Sequence, residues 1–336
     1  MDFHSYKEKA ILRKLSEDSS ASMEELSKAA KCSRATAYKI LSDLEEKLKI
    51  RYTLELDEDK IGITQRHVLV VKFNNEKPSK EFIQKLFEND LYVSNAYICE
   101  GDFDLIIHVR SNDPMNYIVW ESKLPGYFAD FEPRIYPSEL MLTNFGYLPI
   151  NPEQISLSNL NEKDKAILKE LTSNSRQSIS ELSKKIGISR TTIEYRLYML
   201  KKEGIIKRFT ISINKPYKNY ILAYFVNYIF TKDSPARSIK MMEYYKSYDE
   251  ELPFMNTFQL LAPMSGSYRF FGVGLFENEK DAIENAVKPH ISIFDKEHVR
   301  MKRAAIIDIA KGSYPFRNID IRSNYTRFQW GKPYTN

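Results

Sequence analysis

The chain has 336 residues, which corresponds to two to four domains at roughly 100–200 residues each. Its net charge of +5, from 50 basic and 45 acidic residues, is too small to indicate a nucleic acid partner by itself. Two cysteines exclude a disulfide framework and a Cys-rich zinc site, and the longest apolar run, Tyr220–Phe230, is too short for a membrane helix, so we expect a cytoplasmic protein without a membrane partner.

The first 60 residues predict a helix-turn-helix domain. Apolar periodicity indicates helices over Tyr6–Glu17, Met23–Ala30 and Arg34–Lys47. Ser22 and Ser33 precede the second and third helices, where a hydroxyl can accept a hydrogen bond from a free backbone N–H group. Two short helices followed by a longer helix with a basic start are typical of this DNA-binding motif.

Residues 61–150 predict a ferredoxin-like domain with the order βαββαβ. The predicted elements are a strand over Arg66–Phe73, a helix over Pro78–Asn89, strands over Val93–Cys99 and Phe103–Val109, a helix over Pro114–Leu124 and a strand over Arg134–Thr143. The segment Pro149–Ser158 contains two prolines and several polar residues, and we expect it to join this half to the next.

An internal repeat then organises the chain. A shift of 156 residues places Lys9–Leu12 on Lys165–Leu168 and Glu25–Lys28 on Glu181–Lys184 without a gap. A shared register of this length indicates duplication, so the chain is predicted to be two copies of one unit of about 150 residues.

Residues 158–214 predict the second helix-turn-helix domain. Ser178 opens its second helix with a capping box, and Ser189 caps its third helix. Gly187 lies between these helices and suits a left-handed backbone conformation, whereas Lys31 takes the corresponding place in copy one.

Residues 218–310 predict a second ferredoxin-like domain, and residues 311–336 form a basic aromatic tail. The predicted strands are Ile221–Phe230, Asn256–Leu261, Tyr268–Phe276 and Val299–Ile309, and the predicted helices are Pro235–Tyr245 and Glu279–Val287. The tail has five basic residues, one acidic residue and six aromatic residues. That mixture suits nucleic acid or a protein partner, and equally suits docking on its own domain.

Two segments resemble a known family. Leu160–Asn214 resembles the N-terminal half of Lrp/AsnC-family transcription regulators, and Gly101–Arg110 (GDFDLIIHVR) resembles the Gly-Asp-aromatic-Asp turn of their ligand-responsive domain. The resemblance implies transcription control, dimer-based DNA binding and an amino acid or similar small molecule as effector. The chain departs from the family in having two units, a C-terminal tail, and Pro263–Arg269 where the second Gly-Asp turn is expected.

The third helix of each helix-turn-helix domain, with its capping serine, supplies most of the predicted DNA contacts, and Ser178 at the start of the second helix of copy two is added to them. Arginine can bond guanine O6 and N7 together, and hydroxyl groups at helix starts suit base edges or phosphates. The candidates are Ser178, Ser189, Arg190, Thr191, Thr192, Tyr195 and Arg196 in copy two, and Ser33, Arg34, Thr36 and Lys39 in copy one. Asn161–Ile213 has 12 basic and 6 acidic residues, whereas Ser5–Glu55 has 11 and 9, so copy two should bind DNA more strongly.

Other candidates are weaker. Gly101, Asp102 and Asp104 either contribute to an effector site or form an ordinary hairpin turn. The five histidines lack HExxH spacing, so neither a metal nor another cofactor is expected.

The sequence therefore predicts a regulator of α+β class rather than an enzyme. Its two ferredoxin-like domains pair either with each other, as a pseudo-dimer with non-identical reading heads, or with the like domains of a second chain. One rival hypothesis is an enzyme, because some sirohaem decarboxylases reuse this layout. Another is an effector sensor or scaffold that binds no DNA. The run Arg190–Thr192 favours the regulator. The scattered histidines do so too, because such an enzyme needs His and Arg around its tetrapyrrole.

Overall fold

The computed structural model describes residues 6–140, 148–216, 218–228, 258–288, 291 and 299–314. The architecture is α+β: two helix-turn-helix domains alternate along the chain with two ferredoxin-like domains. Within the described ranges, every helix is too short or too polar to cross a bilayer.

Head one is formed by the first three helices and is followed by a strand. Its elements are α1 (Tyr6–Glu17), α2 (Met23–Ala29), α3 (Arg34–Leu48) and β1 (Ile50–Leu56). Ser22 and Ser33 cap α2 and α3 as predicted, by accepting backbone hydrogen bonds three residues on. Lys31 does adopt the left-handed conformation of a turn glycine, with φ of 48°.

The first ferredoxin-like domain follows. Its elements are β2 (Gln65–Phe73), α4 (Lys80–Phe87), β3 (Val93–Gly101), β4 (Leu105–Ser111), α5 (Pro114–Glu121), α6 (Leu124–Tyr127) and β5 (Pro133–Leu140). The single helix predicted over Pro114–Leu124 is interrupted, because α5 ends at a C-cap on Ser122. Residues 141–143, the predicted end of the last strand, lie outside the described residues.

Head two repeats head one. Its elements are α7 (Glu162–Ser173), α8 (Ile179–Ile186), α9 (Arg190–Lys202) and β6 (Ile206–Ile213). The segment that joins it to the first half contains a 3-10 helix over Pro152–Leu157. This segment is packed rather than open, because Ile155 is fully buried and the Asn151 amide donates to the Ser94 carbonyl at 2.8 Å.

The second ferredoxin-like domain contributes four strands. Its described elements are β7 (Tyr220–Tyr228), β8 (Phe258–Gly266), β9 (Phe270–Phe276), α10 (Glu279–Ala282) and β10 (Val299–Lys311). The helix predicted to Val287 continues beyond α10 as a π-helical turn. The helix predicted over Pro235–Tyr245 lies outside the described residues.

The strands of both ferredoxin-like domains form one closed eight-stranded sheet, in the order β10-β3-β4-β2-β5-β8-β9-β7. The two halves join where β10 pairs with β3 and where β5 pairs with β8. Inside the sheet the ring of Phe103 meets Phe225 and Tyr268, with centroids 5.4 and 5.7 Å apart. The two domains of one chain therefore pair with each other, which is the first of the two arrangements left open by the sequence.

The strands that follow the heads are exchanged between them. β1 and β6 form a two-stranded antiparallel sheet in which Thr53 faces Thr210. Leu54 and Leu56 of β1 pack in the core of head two, and Ile211 and Ile213 of β6 pack in the core of head one. The first residues of the two strands, Ile50 and Ile206, stay with their own heads. The Thr53 hydroxyl donates to the Thr172 carbonyl of α7, and the Thr210 hydroxyl donates to the Ser16 carbonyl of α1, each at 2.8 Å. Each head thus needs the other's strand to complete its core.

An approximate two-fold axis relates the heads. Ser19 and Ser175, which are 156 residues apart, join their hydroxyls at 3.2 Å. The Arg176 guanidinium lies 3.7 Å from the centre of the Tyr52 ring and 3.8 Å from Glu45. These contacts hold the two heads against each other.

A buried ion network fixes the heads to the closed sheet. The Glu58 carboxylate, in the loop after β1, accepts hydrogen bonds from Arg66 at 2.8 Å and from Arg110 at 2.9 and 3.1 Å. Arg110 also donates to the Leu148 carbonyl at 2.7 Å. Burial favours a higher pKa for Glu58, but the charges and hydrogen bonds of Arg110 and Arg66 outweigh it and keep that pKa below its usual value.

Candidate nucleic-acid interface

Head two presents the start of α9 through local capping. Ser178 and Glu181 form the predicted capping box at the start of α8. Gly187 then turns the chain with φ of 68°, and Ser189 accepts the Thr192 N–H at 3.3 Å to begin α9. This short turn sets α9 across α8 and leaves the first turn of α9 at the surface.

The leading turn of α9 is exposed on the side away from the core. Ile193 and Leu200 are buried, while Arg190 and Thr191 are exposed. The Arg190 guanidinium lies over the start of α8, with its Nη2 2.6 Å from the Ser180 hydroxyl. Helix starts offer free N–H groups and a positive dipole end, so a duplex phosphate or base edge can approach here.

Two tyrosines extend this exposed face. Tyr195 is 59% exposed, as its predicted role requires, and Tyr198 is 60% exposed. Tyr198 was missed by sequence reasoning, although its three-residue offset from Tyr195 places both side chains on one helix face. Large aromatic rings held at the surface suit contact with sugars and bases.

Three other predicted contacts have local partners. The Thr192 hydroxyl lies 2.8 Å from the Ser189 hydroxyl, within the helix cap. Arg196 is only 35% exposed, and its guanidinium lies 3.6 Å from the Asp164 carboxylate. The Ser178 hydroxyl donates to Glu181 at 2.8 Å. These three side chains therefore stabilise the local structure of the interface, because their polar groups already have partners within head two.

Head one has the same geometry and different electrostatics. Ser33, Arg34, Thr36 and Lys39 are all exposed. The Arg34 guanidinium, however, lies 2.6 Å from the Glu24 carboxylate.

The C-terminal end of α3 also differs from that of α9. Glu45 contacts the Tyr52 hydroxyl and faces Arg176 of head two, so its charge is partly compensated inside the pair. Glu46 is exposed where head two has Lys202.

The Gly101 turn lies at the junction between the two ferredoxin-like domains. Gly101 has φ of 127°, and a Cβ there would lie 2.7 Å from the Arg303 carbonyl of β10. The Asp102 carboxylate accepts from Lys302 Nζ at 3.1 Å and from the Arg303 N–H at 2.7 Å. A cleft of about 280 Å³ opens beside it, lined in part by Glu100, Asp102, Glu279 and Arg303.

Asp104 does not line this cleft. Its carboxylate is buried and lies 3.0 Å from Lys72 Nζ, 2.8 Å from Lys77 Nζ and 3.0 Å from the Phe73 N–H. Burial favours a higher pKa for Asp104, but the bonds from Lys77, Phe73 and Lys72 keep its pKa below the usual value. Its position is that of a residue that holds the turn.

The histidines in the described ranges are packed side chains. His108 is buried between Tyr97 and Phe271, and His67 stacks on Tyr117 with ring centroids 3.4 Å apart. No group of three or more His, Cys, Asp or Glu residues in the described part of the chain is arranged to hold a metal ion.

Comparisons with known proteins agree with this geometry. The family of winged helix-turn-helix DNA-binding domains matches residues 160–207, which comprise head two. An uncharacterised HTH-type transcriptional regulator of Pyrococcus furiosus is 45% identical over 75 residues, covering 22% of this chain and 50% of the relative. The HTH-type transcriptional regulator LrpA of Pyrococcus horikoshii is 40% identical over 63 residues, covering 19% and 45%. The chain thus spans about half or less of the length of these curated relatives.

A solved structure matches the whole layout. The sirohaem decarboxylase NirDL superposes with a TM-score of 0.55 and 12% identity, covering 95% of this chain and 97% of that one. At this identity the likeness shows a shared fold.

Proposed function

We propose that the chain is a sequence-specific DNA-binding transcription regulator of Lrp/AsnC type, in which the start of α9 enters the major groove. The observation that carries the proposal is the exposed Arg190 end of α9, within a segment that matches winged helix-turn-helix DNA-binding domains. In this motif the N-terminal residues of the third helix meet base edges.

The roles within α9 follow from exposure and chemistry. Arg190 has the fork geometry that pairs with guanine, and Thr191 offers a hydroxyl and a methyl group to the next base. Tyr195 and Tyr198 lie on the same exposed face and suit sugar or base contact. Ser189 contributes a helix start to a phosphate.

The test is the substitution Arg190→Ala in the full chain. Genomic fragments bound by the wild-type protein would be mapped first, and affinity for one such site then measured at several salt concentrations. We expect affinity to fall by about 1–3 kcal/mol, with relaxed preference at one base position. Arg134→Ala is the control, because Arg134 is an exposed arginine of β5 with the same charge change. Equal effects of both substitutions would contradict base reading by Arg190.

An effector site is the second part of the proposal. The cleft beside Gly101 brings carboxylates of Glu100 and Glu279 within one cavity with Arg303, which suits a zwitterion such as an amino acid. Calorimetric titration of the full chain with a panel of amino acids tests it. Glu279→Ala should weaken the binding of a ligand found in this way. Absence of binding across the panel, or binding unchanged by the substitution, would contradict it.

The whole-chain likeness to NirDL supports one rival, a sirohaem decarboxylase. Against it, both histidines in the described ranges are buried, and His108 is enclosed by aromatic rings. Addition of an iron tetrapyrrole to the purified chain decides between them. A stoichiometric Soret band with no DNA retention would favour the enzyme.

A further inference from the structure

The two heads place an arginine in the same position against different partners. Arg34 and Arg190 begin α3 and α9, and each reaches back to the second residue of the preceding helix. In head one that residue is Glu24, and in head two it is Ser180, 156 positions later. The distance from arginine Nη2 to the partner oxygen is 2.6 Å in both heads. The geometry is therefore shared, and only the charge of the partner differs.

Glu24 compensates more than one cation. Its two carboxylate oxygens lie 2.6 Å from Arg34 Nη2 and 2.9 Å from Lys28 Nζ. Among the residues that the structure describes, no carboxylate forms an ion pair with Arg190, whose guanidinium instead donates to the neutral Ser180 hydroxyl. The edge that each head offers to DNA thus has an uncompensated guanidinium in head two and a neutralised one in head one.

The charge of the partner bears on how strongly each arginine can bind DNA. A cation contributes to affinity by releasing counterions from phosphate, and an arginine reads guanine through donors that must be available. Each arginine has to release its Nη2 contact before that group can meet DNA, but Arg34 then leaves a carboxylate beside a polyanion, whereas Arg190 leaves a neutral hydroxyl. Because the approximate two-fold axis presents both heads alike, this inequality comes from side chains and not from placement.

We infer that the DNA target is asymmetric, with one half-site read at its bases by head two and the other held weakly by head one, and that Glu24 sets this inequality. The inference rests on the proposed DNA-binding function and names the kind of site it recognises. The lower net charge of head one acts in the same direction.

Reciprocal substitutions test the inference in the full chain. Sites would be selected from random duplex DNA with the wild-type protein, Glu24→Ser, Ser180→Glu and the double variant. Glu46→Ser is the matched control, because it adds the same charge to head one at the other end of α3. Circular dichroism checks that each variant is folded.

We expect the wild-type protein to select a site with base preference concentrated in one half. Glu24→Ser should add preference in the second half, tighten binding about 3- to 10-fold, and steepen the slope of log K against log salt by up to about 0.9 for each phosphate gained. Ser180→Glu should weaken binding about 10-fold or more, and the double variant should invert the asymmetry. Glu46→Ser should leave the selected sequence unchanged.

A second comparison does not depend on the swapped residues. On the wild-type site, the fold-loss of affinity caused by Arg190→Ala should be at least about five times that caused by Arg34→Ala. A palindromic wild-type site, equal effects of the two alanine substitutions, or an unchanged site for Glu24→Ser would overturn the inference. Failure of the wild-type chain to select any sequence would instead overturn the proposed function.

Discussion

The buried carboxylate of Glu58 gives a strong prediction about stability. Its side chain is 12% exposed, and those of Arg66 and Arg110 are 11% and 8% exposed. Glu58→Ala would leave the guanidinium of Arg110 buried without an anion, while Arg66 would keep only its pair with the exposed carboxylate of Asp59. Breaking a buried pair in this way costs about 3–5 kcal/mol, because the remaining charge keeps its desolvation penalty.

Urea unfolding followed by far-UV circular dichroism and tryptophan fluorescence measures this loss. Glu17→Ala is the matched control, since Glu17 forms an exposed pair with Arg13 at 3.1 Å, and its removal should cost about 0.5 kcal/mol or less. Joint replacement of Glu58, Arg66 and Arg110 by apolar residues of similar size should recover most of the stability lost in Glu58→Ala. If Glu58→Ala unfolds at the same urea concentration as Glu17→Ala, the network does not stabilise the junction.

Three further predictions concern the closed sheet and the exchanged strands. Gly101→Ala should lower the free energy of unfolding by more than about 1 kcal/mol, because of its positive φ and its approach to the neighbouring strand, whereas Gly126→Ala, with open space around it, should change little. Burial, with a smaller contribution from a nearby arginine, lowers the pKa of His108 to about 3, so the folded state keeps the neutral ring while the unfolded chain takes up a proton below pH 6.5. The wild-type protein should therefore lose ~1.4 kcal/mol more per pH unit than His108→Phe between pH 6 and 4, and parallel pH profiles of unfolding would contradict this assignment. Thr53→Val and Thr210→Val should each cost ~1 kcal/mol by removing a buried hydroxyl bond, and thermal unfolding should still show a single transition, whereas separate melting of the heads would contradict the exchange of strands.

Local features of this fold could be predicted from sequence because their causes lie within a few residues. The caps at Ser178 and Ser189 are confirmed, and so is the left-handed turn at Lys31. These depend on a hydroxyl three residues from a free N–H group, or on a turn too short for another conformation. The interruption after α5 was missed, because the predicted segment has an apolar pattern that continues across it.

Long-range pairings could not be predicted in the same way. β1 and β6 have alternating patterns that suit the core of either head, so nothing local specifies the exchange. The contacts of Arg34 with Glu24 and of Arg196 with Asp164 depend on the angles between helices. Charge counts order the two heads by net charge, but they could not show which carboxylate faces which cation.

The exchanged strands also determine how the protein behaves on dilution. In a regulator assembled from separate subunits, the share of paired heads falls with concentration, and two kinds of subunit would yield mixed assemblies. Here β1 and β6 belong to one polypeptide, so pairing is a unimolecular event with a fixed one-to-one composition. One copy can therefore carry substitutions in the edge that we propose faces DNA while the other copy does not, and every molecule holds the same unlike pair.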